Sequence, residues 1–467
     1  MGHPVCHNLE IIDVAAEGNA IGRHEGKVVF VGSAVPGDVV NVQITRNRAG
    51  YMEGYITEFI ALSPHRIQPF CSHFGICGGC KWQPLPYAMQ LALKQKQVAD
   101  QFARIGRLGD VDVLPIIASD DTLYYRNKLE FTFSNKRWLT RNEMEQTPAT
   151  FDALGFHVPG KFDKVLDIDK CFLQPHPSND IRLAVRRHAL ELGIPFFDLR
   201  AQSGLLRTMI VRNSVSSGEV MVIVVFAYDD ENARTALLPR IAAAFPQITS
   251  LCYIVNPKRN DAIHDLDVHL YAGRGYMEET LEDLVFKISP KSFFQTNTRQ
   301  ALRLYQVVRD FAGLTGVETV YDLYTGTGSI ALFLARQAAQ VIGIEMVDDA
   351  IADAEENARR NRITNTRFYA GDMRSVLKPD FFAANGKPDV IVLDPPRAGI
   401  HPDVAERIVN SGVHRLVYVS CNPATQARDM ALLSPYYRIV KAQPVDMFPH
   451  THHVENVLLA EKQTPDV

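Results

Sequence analysis

From about residue 286 onward, short apolar runs alternate with helical segments, and this alternation narrows the possible folds more than any other feature. Strands of a parallel sheet are often continuously apolar, because helices cover both faces of the sheet. Strands and helices that alternate along the chain are typical of βαβ units. The sequence therefore predicts an α/β domain with a parallel-rich sheet, whose strands are Val317 to Leu323, Val341 to Glu345, Val390 to Leu393 and Arg415 to Val419.

Two further regions precede this domain. Residues 1–62 contain four or five short β-patterned runs separated by glycine turns, which predict a small OB-like β-barrel. Residues 63–285 predict a central α+β domain, with a helix over Ala88 to Arg107 and a β-hairpin formed by Arg207 to Asn213 and Val220 to Tyr228. The helical segment near 86–110 is a candidate for packing on the third domain, residues 286–467. The segment from Asn142 to Thr150 lacks periodicity and predicts an exposed loop.

Composition sets limits on the class of protein. The chain has 467 residues, of which 46% are hydrophobic and 22% charged, as in ordinary globular proteins. Its longest apolar stretch, Val220 to Tyr228, is too short to span a bilayer, and its first residues do not resemble a secretory signal. The net charge of -4 requires any nucleic-acid surface to be local. We expect a cytoplasmic monomer that makes no membrane contact.

A glycine-rich turn joins the first predicted strand of the α/β domain to a helix. The residues from Gly326 to Ala331 fit G-x-G-x-x-A, a pattern in which glycines let the backbone approach a ligand. Glu345 ends the next strand, where a carboxylate can bind the ribose hydroxyls of an adenosine. Asp372 follows the third strand and is a candidate neighbour of the adenine. A tight turn without a ligand, and a capping aspartate, are the alternatives.

Two more strand ends carry residues suited to chemistry. The segment Asp394-Pro395-Pro396-Arg397 predicts a rigid turn that aims Asp394 at the crevice, as acidic-Pro-Pro turns do in amine methyltransferases. Cys421 follows the next strand. A lone cysteine is more often a buried apolar residue, but a thiol at a strand end beside a cofactor site can add to a pyrimidine ring.

The pyrimidine chemistry also needs a base, and the segment from Phe448 to Asn456 offers Glu455 and three histidines. Glu455 is the candidate base, with a salt-bridged or capping glutamate as the alternative. Gln295 lies beside Phe293 and Phe294, which suits a flat ring with a hydrogen-bonded group, although core packing explains the pattern equally well.

Three cysteines within ten residues predict a metal site. Cys71, Cys77 and Cys80 lie in a glycine-containing loop, and Cys171 is the candidate fourth ligand. Spacing alone does not distinguish zinc from an iron–sulfur cluster. Cys6 and Cys252 are interpreted as structural.

Aromatic and basic residues mix in one stretch of the central region. Tyr124 to Lys128 and Lys136 to Trp138 combine cations, which bind phosphates, with aromatic rings, which stack on unpaired bases. An ordinary sheet with a solvated face is an equal alternative. The N-terminal barrel likewise fits either RNA contact or docking.

Together these motifs resemble the S-adenosylmethionine-dependent RNA uracil-C5 methyltransferases. The resemblance covers nearly the whole chain and implies a Rossmann-like methyltransferase domain and a TRAM barrel. It implies Cys421 as nucleophile and Glu455 as base, with Gln295, Tyr324, Glu345 and Asp394 around the cofactor and the uracil. It also implies a [4Fe–4S] cluster on the four cysteines. The residues that carry it are Phe293 to Asn297, Asp322 to Gly328, Leu393 to Arg397, Ser420 to Pro423 with Arg428-Asp429, and His450 to Glu455.

The same resemblance implies the substrate. Members that have both the barrel and the cluster are mainly ribosomal RNA enzymes, so 23S rRNA is the expected substrate and tRNA the alternative. Thr325 and Ser329 depart from the family pattern, in which many members have Cys and some have Asn. Three competing functions are an exocyclic-amine methyltransferase, a nicotinamide oxidoreductase and a non-enzymatic RNA-binding iron–sulfur sensor.

Overall fold

The structure is a computed structural model that describes residues 4–145 and 150–463. These residues form two compact units. The first comprises the described residues of 1–122, 396–399 and 420–458, and the second those of 123–395, 400–419 and 459–467. The α-helices within the described ranges are α1 (Tyr87–Gln101), α2 (Arg141–Met144), α3 (Ser178–Glu191), α4 (Glu231–Ala244), α5 (Thr298–Ala312), α6 (Ser329–Ala335), α7 (Asp348–Arg360), α8 (Met373–Val376), α9 (Pro379–Asn385), α10 (Pro402–Ser411) and α11 (Pro423–Leu433).

In the first unit, the chain begins with a closed five-stranded barrel. Its strands are β1 (Val5–Val14), β2 (Ala20–His24), β3 (Lys27–Val31), β4 (Val39–Asn47) and β5 (Tyr51–Ala61), in the order β1-β2-β3-β5-β4. Alternate residues of β4, among them Val40, Val42 and Ile44, point into the apolar core of the barrel. The predicted small N-terminal barrel is confirmed.

A buried aspartate joins the turn before β4 to the segment after β5. Asp38, just before β4, accepts hydrogen bonds from the Val35 and Ser63 backbone amides and from two nitrogens of Arg66. Burial alone would raise the pKa of Asp38, but the hydrogen bonds from Arg66 and the two amides lower it below its ordinary value. The carboxylate is therefore a fully paired structural group.

Helix α1 confirms the helix predicted over residues 88–107. A π-helical turn, Phe102–Gly106, continues it, and both pack against α11, which belongs to the same unit. Backbone hydrogen bonds also join residues 112–117 to residues 442–446 of the first unit. The segment near 86–110 thus packs on a helix from the C-terminal third of the chain.

In the second unit, the central region forms an eight-stranded sheet. Its strands are β6 (Lys128–Ser134), β7 (Arg137–Trp138), β8 (Ala153–Val158), β9 (Lys161–Asp167), β10 (Leu206–Asn213), β11 (Val220–Phe226), β12 (Ile248–Val255) and β13 (Val268–Gly273), in the order β13-β12-β11-β10-β6-β8-β9-β7. Every residue of β10 and β11 is buried, and the two strands pair antiparallel, so the predicted hairpin is confirmed.

The predicted loop at 142–150 is only partly observed. Arg141–Met144 form the short helix α2, because Thr140 and Glu143 make a capping box: the Thr140 amide and hydroxyl both donate to the Glu143 carboxylate. Residues 146–149 of this prediction lie outside the described residues.

The predicted α/β fold with a parallel-rich sheet is also confirmed. After a two-stranded sheet of β14 (Met277–Leu281) and β15 (Leu284–Ile288), a seven-stranded sheet has the order β18-β17-β16-β19-β20-β22-β21. Strands β16 to β20 pair parallel. Along the chain, helix α5 precedes β16, and helices α6 to α10 alternate with the strands up to β20. The seven strands are β16 (Thr319–Leu323), β17 (Gln340–Glu345), β18 (Thr366–Ala370), β19 (Val390–Leu393), β20 (Arg415–Ser420), β21 (Tyr437–Val445) and β22 (Glu455–Lys462).

No helix within the described residues is long and apolar enough to cross a bilayer.

The Asp38 network predicts a specific loss of stability. Asp38→Ala leaves the part-buried Arg66 and two buried amides without their acceptor, which we expect to lower the free energy of unfolding by about 2–4 kcal/mol. Urea denaturation measures the change. As a matched control, Glu53→Ala removes the exposed partner of Arg46 and should cost less than about 1 kcal/mol. Equal losses in the two variants would contradict a structural role for Asp38.

Candidate active site

The glycine-rich turn between β16 and α6 leaves open space. The amides of Tyr324 and Thr325 donate to the Ile344 carbonyl at the end of β17, both at 3.0 Å, which fixes the turn. Tyr324, Gly326 and Gly328 have positive φ angles of 67°, 55° and 77°. A Cβ atom at Gly326 would meet no atom within 4 Å, so the backbone there is accessible to a ligand.

Glu345 ends β17 beside this turn. One carboxylate oxygen accepts from the Gly326 amide at 3.1 Å, and the other accepts from the amides of Met346 at 2.8 Å and Val347 at 3.1 Å. Three backbone donors therefore hold the predicted ribose-binding carboxylate in one orientation, next to the open part of the turn.

Asp322 is a candidate that the sequence analysis missed. Its side chain is fully buried near the end of β16, where the Thr325 hydroxyl donates to Oδ2 at 2.5 Å and Oδ1 has no hydrogen-bond partner in the protein. The pKa of Asp322 is raised to about 7, mainly by burial and in part by the Glu345 charge. Hydrogen bonds from Thr325 and the Ala331 amide oppose this rise. A buried carboxylate with an unsatisfied oxygen fits a cationic ligand group. Its place at the start of the glycine motif was the available signal.

Asp394 follows β19, the strand that pairs with β16. Its amide donates to the Leu323 carbonyl at 3.3 Å, so Asp394 lies at the same edge of the sheet as Asp322. Asp394 is partly exposed, but the protein around it removes much of the water from its carboxyl, and this desolvation raises its pKa to about 7. The charge of the Asp322 carboxylate adds to the shift. Near neutral pH this carboxyl can therefore either accept or donate a hydrogen bond.

Asp372 has a structural role in this chain. It caps α8 by accepting from the Arg374 amide at 2.8 Å, and it pairs with the Arg374 guanidinium at 2.6 Å. These hydrogen bonds lower the pKa of Asp372 to about 2. The alternative of a capping aspartate is therefore observed. A role of Asp372 beside the adenine stays a prediction.

Gln295 is buried just before α5 and is supported by a polar network. Asn127 donates to the Gln295 carbonyl and to the Thr298 hydroxyl, both at 2.9 Å. Thr298 in turn donates at 3.0 Å to the buried Glu279, which also accepts from the Val215 and Ser216 amides. The network anchors the start of α5, so Gln295 has a defined position.

Cys421 lies between the end of β20 and the start of α11. Its thiol is partly exposed and forms no disulfide. Asn422 caps α11 by accepting from the Ala424 amide at 3.2 Å, and Pro423 occupies the first turn of the helix. The thiol therefore follows the strand directly, as the sequence predicts, in the short connection between β20 and α11.

Glu455 is the first residue of β22, which neighbours β20 in the sheet. At the opposite ends of these strands, the Lys462 amide donates to the His414 carbonyl, and Arg415 pairs with Glu461 at 3.0 Å. The start of β20 therefore meets the end of β22, so the two strands run antiparallel. Cys421 and Glu455 consequently lie at the same edge of the sheet.

The turn after Asp394 continues into residues 396–399, which belong to the first unit and contact the residues that follow Cys421. The Arg397 carbonyl accepts from Asn422 at 3.3 Å and from Thr425 at 3.2 Å. The Arg397 guanidinium lies 3.3 Å from His453 Nδ1. These contacts link the loop to the Cys421 turn and to the histidine segment.

Burial keeps two of the three histidines neutral. It lowers the pKa of His450 to about 4 and that of His452 to about 3, and nearby cations add to both shifts. Neither ring is thereby suited to proton transfer at neutral pH. Glu455, which is also buried, remains the candidate base.

The predicted four-cysteine site is not supported. Cys71, Cys77 and Cys80 are partly exposed in a loop of the first unit, and Cys171 is buried in the second. Within residues 4–145 and 150–463, no three Cys, His, Asp or Glu side chains are grouped closely enough to hold a metal.

The predicted RNA-contact stretch lies at the start of β6. Tyr124 is exposed, Tyr125 is buried and Arg126 packs over the Tyr125 ring. Lys128 is partly buried, which lowers its pKa, whereas the side chain of Glu130 is exposed. RNA contact here stays a prediction.

The unusual state of Asp322 gives a pH-dependent prediction. A carboxyl whose pKa in the folded protein is above its unfolded value destabilises the protein as the pH rises from about 4 through about 7. Asp322→Asn cannot ionise, so its melting temperature relative to the wild type should be higher at pH 8 than at pH 4 by about 2 °C or more. Thermal unfolding across this range measures the difference. The exposed Asp380→Asn is the control, and a gain independent of pH at Asp322 would contradict the assignment.

Comparisons with known proteins identify the family. A family model described as tRNA (uracil-5-)-methyltransferase matches residues 267–463, and a TRAM domain model matches residues 8–57. An RNA methyltransferase of Porphyromonas gingivalis is 54% identical over 465 residues, which cover 98% of this chain and 100% of the relative. One of Bacteroides thetaiotaomicron is 55% identical over 453 residues, which cover 96% and 100%.

A solved structure is similar along the whole chain. It is the Pyrococcus abyssi tRNA (uracil-54, C5)-methyltransferase in complex with S-adenosyl-L-homocysteine, which is 28% identical with a TM-score of 0.75. The similarity covers 97% of this chain and 100% of that one. The chain therefore belongs to the tRNA (uracil-5-)-methyltransferase family and is an S-adenosylmethionine-dependent RNA uracil-C5 methyltransferase with an N-terminal TRAM barrel.

Proposed function

We propose that the enzyme forms 5-methyluridine in structured RNA, with Cys421 as the nucleophile and Glu455 as the base. The observation that carries this proposal is the shared sheet edge. Cys421 follows the carboxyl end of β20, and Glu455 begins the antiparallel neighbour β22. A thiol and a carboxylate at one edge can serve two successive steps on the same ring.

The chemistry begins at carbon 6 of the uracil, because carbon 5 by itself is a poor nucleophile. The Cys421 thiolate adds to carbon 6, and the electron pair of the double bond moves toward carbon 5 as an enolate. S-adenosylmethionine, when bound, supplies the electrophilic methyl group for carbon 5. Glu455 then accepts the proton of carbon 5, the double bond forms again, and the bond between sulfur and carbon 6 breaks to release the thiolate.

The residues of the second unit are proposed to hold the cofactor and the flipped base. The carboxylate of Glu345, held by three amides, suits the ribose hydroxyls, and the unpaired oxygen of Asp322 suits the ammonium group. Asp394, with its pKa of about 7, can bind either a donor or an acceptor on the base. Gln295, Tyr324 and Asp372 complete the proposed set.

We propose 23S rRNA as the substrate. Support comes from the resemblance, in which members that have both a TRAM barrel and a four-cysteine cluster are mainly ribosomal RNA enzymes; of these two features, the barrel matches a family model. A specific observation favours tRNA as the second candidate: the Pyrococcus abyssi relative, similar over the whole chain, acts on uracil 54 of tRNA. We further propose that the enzyme works as a cytoplasmic monomer.

A [4Fe–4S] cluster on Cys71, Cys77, Cys80 and Cys171 stays a prediction from the sequence, and the proposed reaction assigns no step to it. Iron and acid-labile sulfide analysis of anaerobically purified protein tests it.

The thiol chemistry predicts a trapped adduct. With 5-fluorouridine at the target, no proton can leave carbon 5, so the enzyme and the RNA should remain covalently joined, which denaturing gels and mass spectrometry detect. Cys421→Ala should form no adduct and lose at least about 1,000-fold in methyl transfer, while it still binds S-adenosylmethionine. Cys252→Ala, in the core, is the matched control and should form the adduct. Full activity of Cys421→Ala would instead favour an exocyclic-amine methyltransferase acting through Asp394.

The choice of RNA is tested in cells. Nucleoside mass spectrometry of 23S rRNA and tRNA, from cells with and without the gene, should show loss of one 5-methyluridine from 23S rRNA. Loss from tRNA alone would replace the proposed substrate by the second candidate, and methylation of both purified RNAs by the enzyme provides an independent check.

A further inference from the structure

A buried ion pair joins helix α1 to the segment that precedes Glu455. Lys94 Nζ and Asp446 Oδ1 are 2.5 Å apart, and both side chains are completely buried. Lys94 also donates to the Phe448 carbonyl at 3.0 Å, and the Tyr87 hydroxyl donates to the other oxygen of Asp446 at 2.8 Å. Such a pair is costly to desolvate, so its value lies in fixing geometry when every partner is satisfied.

Gln90, on the same face of α1, holds the next residues of that segment. Its Oε1 accepts from the His450 amide at 2.8 Å, and its Nε2 lies 3.2 Å from His450 Nδ1. The same Nε2 donates to the carbonyls of Trp82 and Leu85. His450 has a φ of 65°, a left-handed conformation that a non-glycine residue keeps only when its surroundings fix it.

The His450 turn (residues 448–451) also contacts the residues on either side of the cysteine loop, which runs from Cys71 to Cys80. The amides of Lys81 and Trp82, which follow Cys80, donate to the His450 carbonyl at 2.9 and 3.0 Å. Phe70, which precedes Cys71, packs its ring edge-on to the His450 ring at 4.9 Å. The backbone and the ring of His450 are thus both constrained.

A second amide pair joins the base strand to the helix of the nucleophile. Asn456, next to Glu455, donates to Gln426 Oε1 on α11 at 2.7 Å, and Gln426 donates back to the Asn456 carbonyl at 3.3 Å. Both side chains are fully buried. Glu455 therefore lies between two fixed points, the His450 turn and α11, whose first turn follows Cys421.

We propose that Gln90 and Lys94 are positioning residues for Glu455, so that helix α1 sets the efficiency of proton removal from carbon 5. This inference rests on the proposed function. Neither residue is proposed to touch the RNA or the cofactor. They act by holding the His450 turn, and loss of either moves the carboxylate of Glu455 away from the proton that it accepts.

The test separates addition of the thiol from removal of the proton. Gln90→Ala and Lys94→Met are compared with the wild type on uridine RNA and on 5-fluorouridine RNA. We expect turnover on uridine RNA to fall at least about tenfold, because general-base catalysis is sensitive to position. Adduct formation on 5-fluorouridine RNA needs no base and should stay within about threefold of the wild type. A methylated adduct should also accumulate on uridine RNA, where the wild type shows none.

Matched controls come from the same helix. Gln97→Ala and Lys96→Met change the same residue types away from the His450 turn and should behave as the wild type. Equal losses in turnover and in adduct formation, or unchanged turnover in Gln90→Ala, would overturn the inference. If Lys94→Met does not fold, Gln90→Ala alone decides. No adduct with the wild type on 5-fluorouridine RNA would instead refute the proposed function.

Discussion

The in-register pairing of parallel strands governs the placement of the candidate cofactor residues. Leu323 lies opposite both Ile344 and Leu393, and Leu393 lies opposite Tyr418, so β16, β17, β19 and β20 end together. Asp322, Glu345 and Asp394 therefore reach one edge of the sheet although long stretches of sequence separate them. A shift of one residue in any of these pairings would turn the acidic side chain to the opposite face.

Two buried aspartates show how surroundings divide structural from functional carboxylates. Asp38 is surrounded by donors, and its pKa is below the ordinary value. Asp322 is as deeply buried, but one of its oxygens has no partner and its pKa rises to about 7. A protein gains no stability from the second arrangement, which is why an unsatisfied acid at a strand end indicates a ligand site.

The sequence predicts the parts of this protein that depend on local patterns. The mostly apolar strands β16, β17, β19 and β20, alternating with helical segments, predict a parallel sheet, and glycine turns predict the barrel. Contacts between distant segments were not predictable: nothing near Lys94 in sequence indicates Asp446, and the pairing of β22 with β20 depends on the packed sheet. Asp372 shows that a local pattern can also mislead. An acidic residue at a strand end predicts a ligand contact, but here it pairs with its sequence neighbour Arg374.

The contacts between helix α1 and the His450 turn also bear on how the chain folds. Lys94 and Asp446 are 352 positions apart, and Gln90 and His450 are 360 apart. Contacts of such separation form late, because a long loop must close before they are made. During synthesis the barrel can fold as soon as it leaves the ribosome, whereas the Glu455 strand has to wait for nearly the entire polypeptide. A nascent chain therefore lacks the contacts that hold the His450 turn until residues 446–450 have emerged and can pack on helix α1.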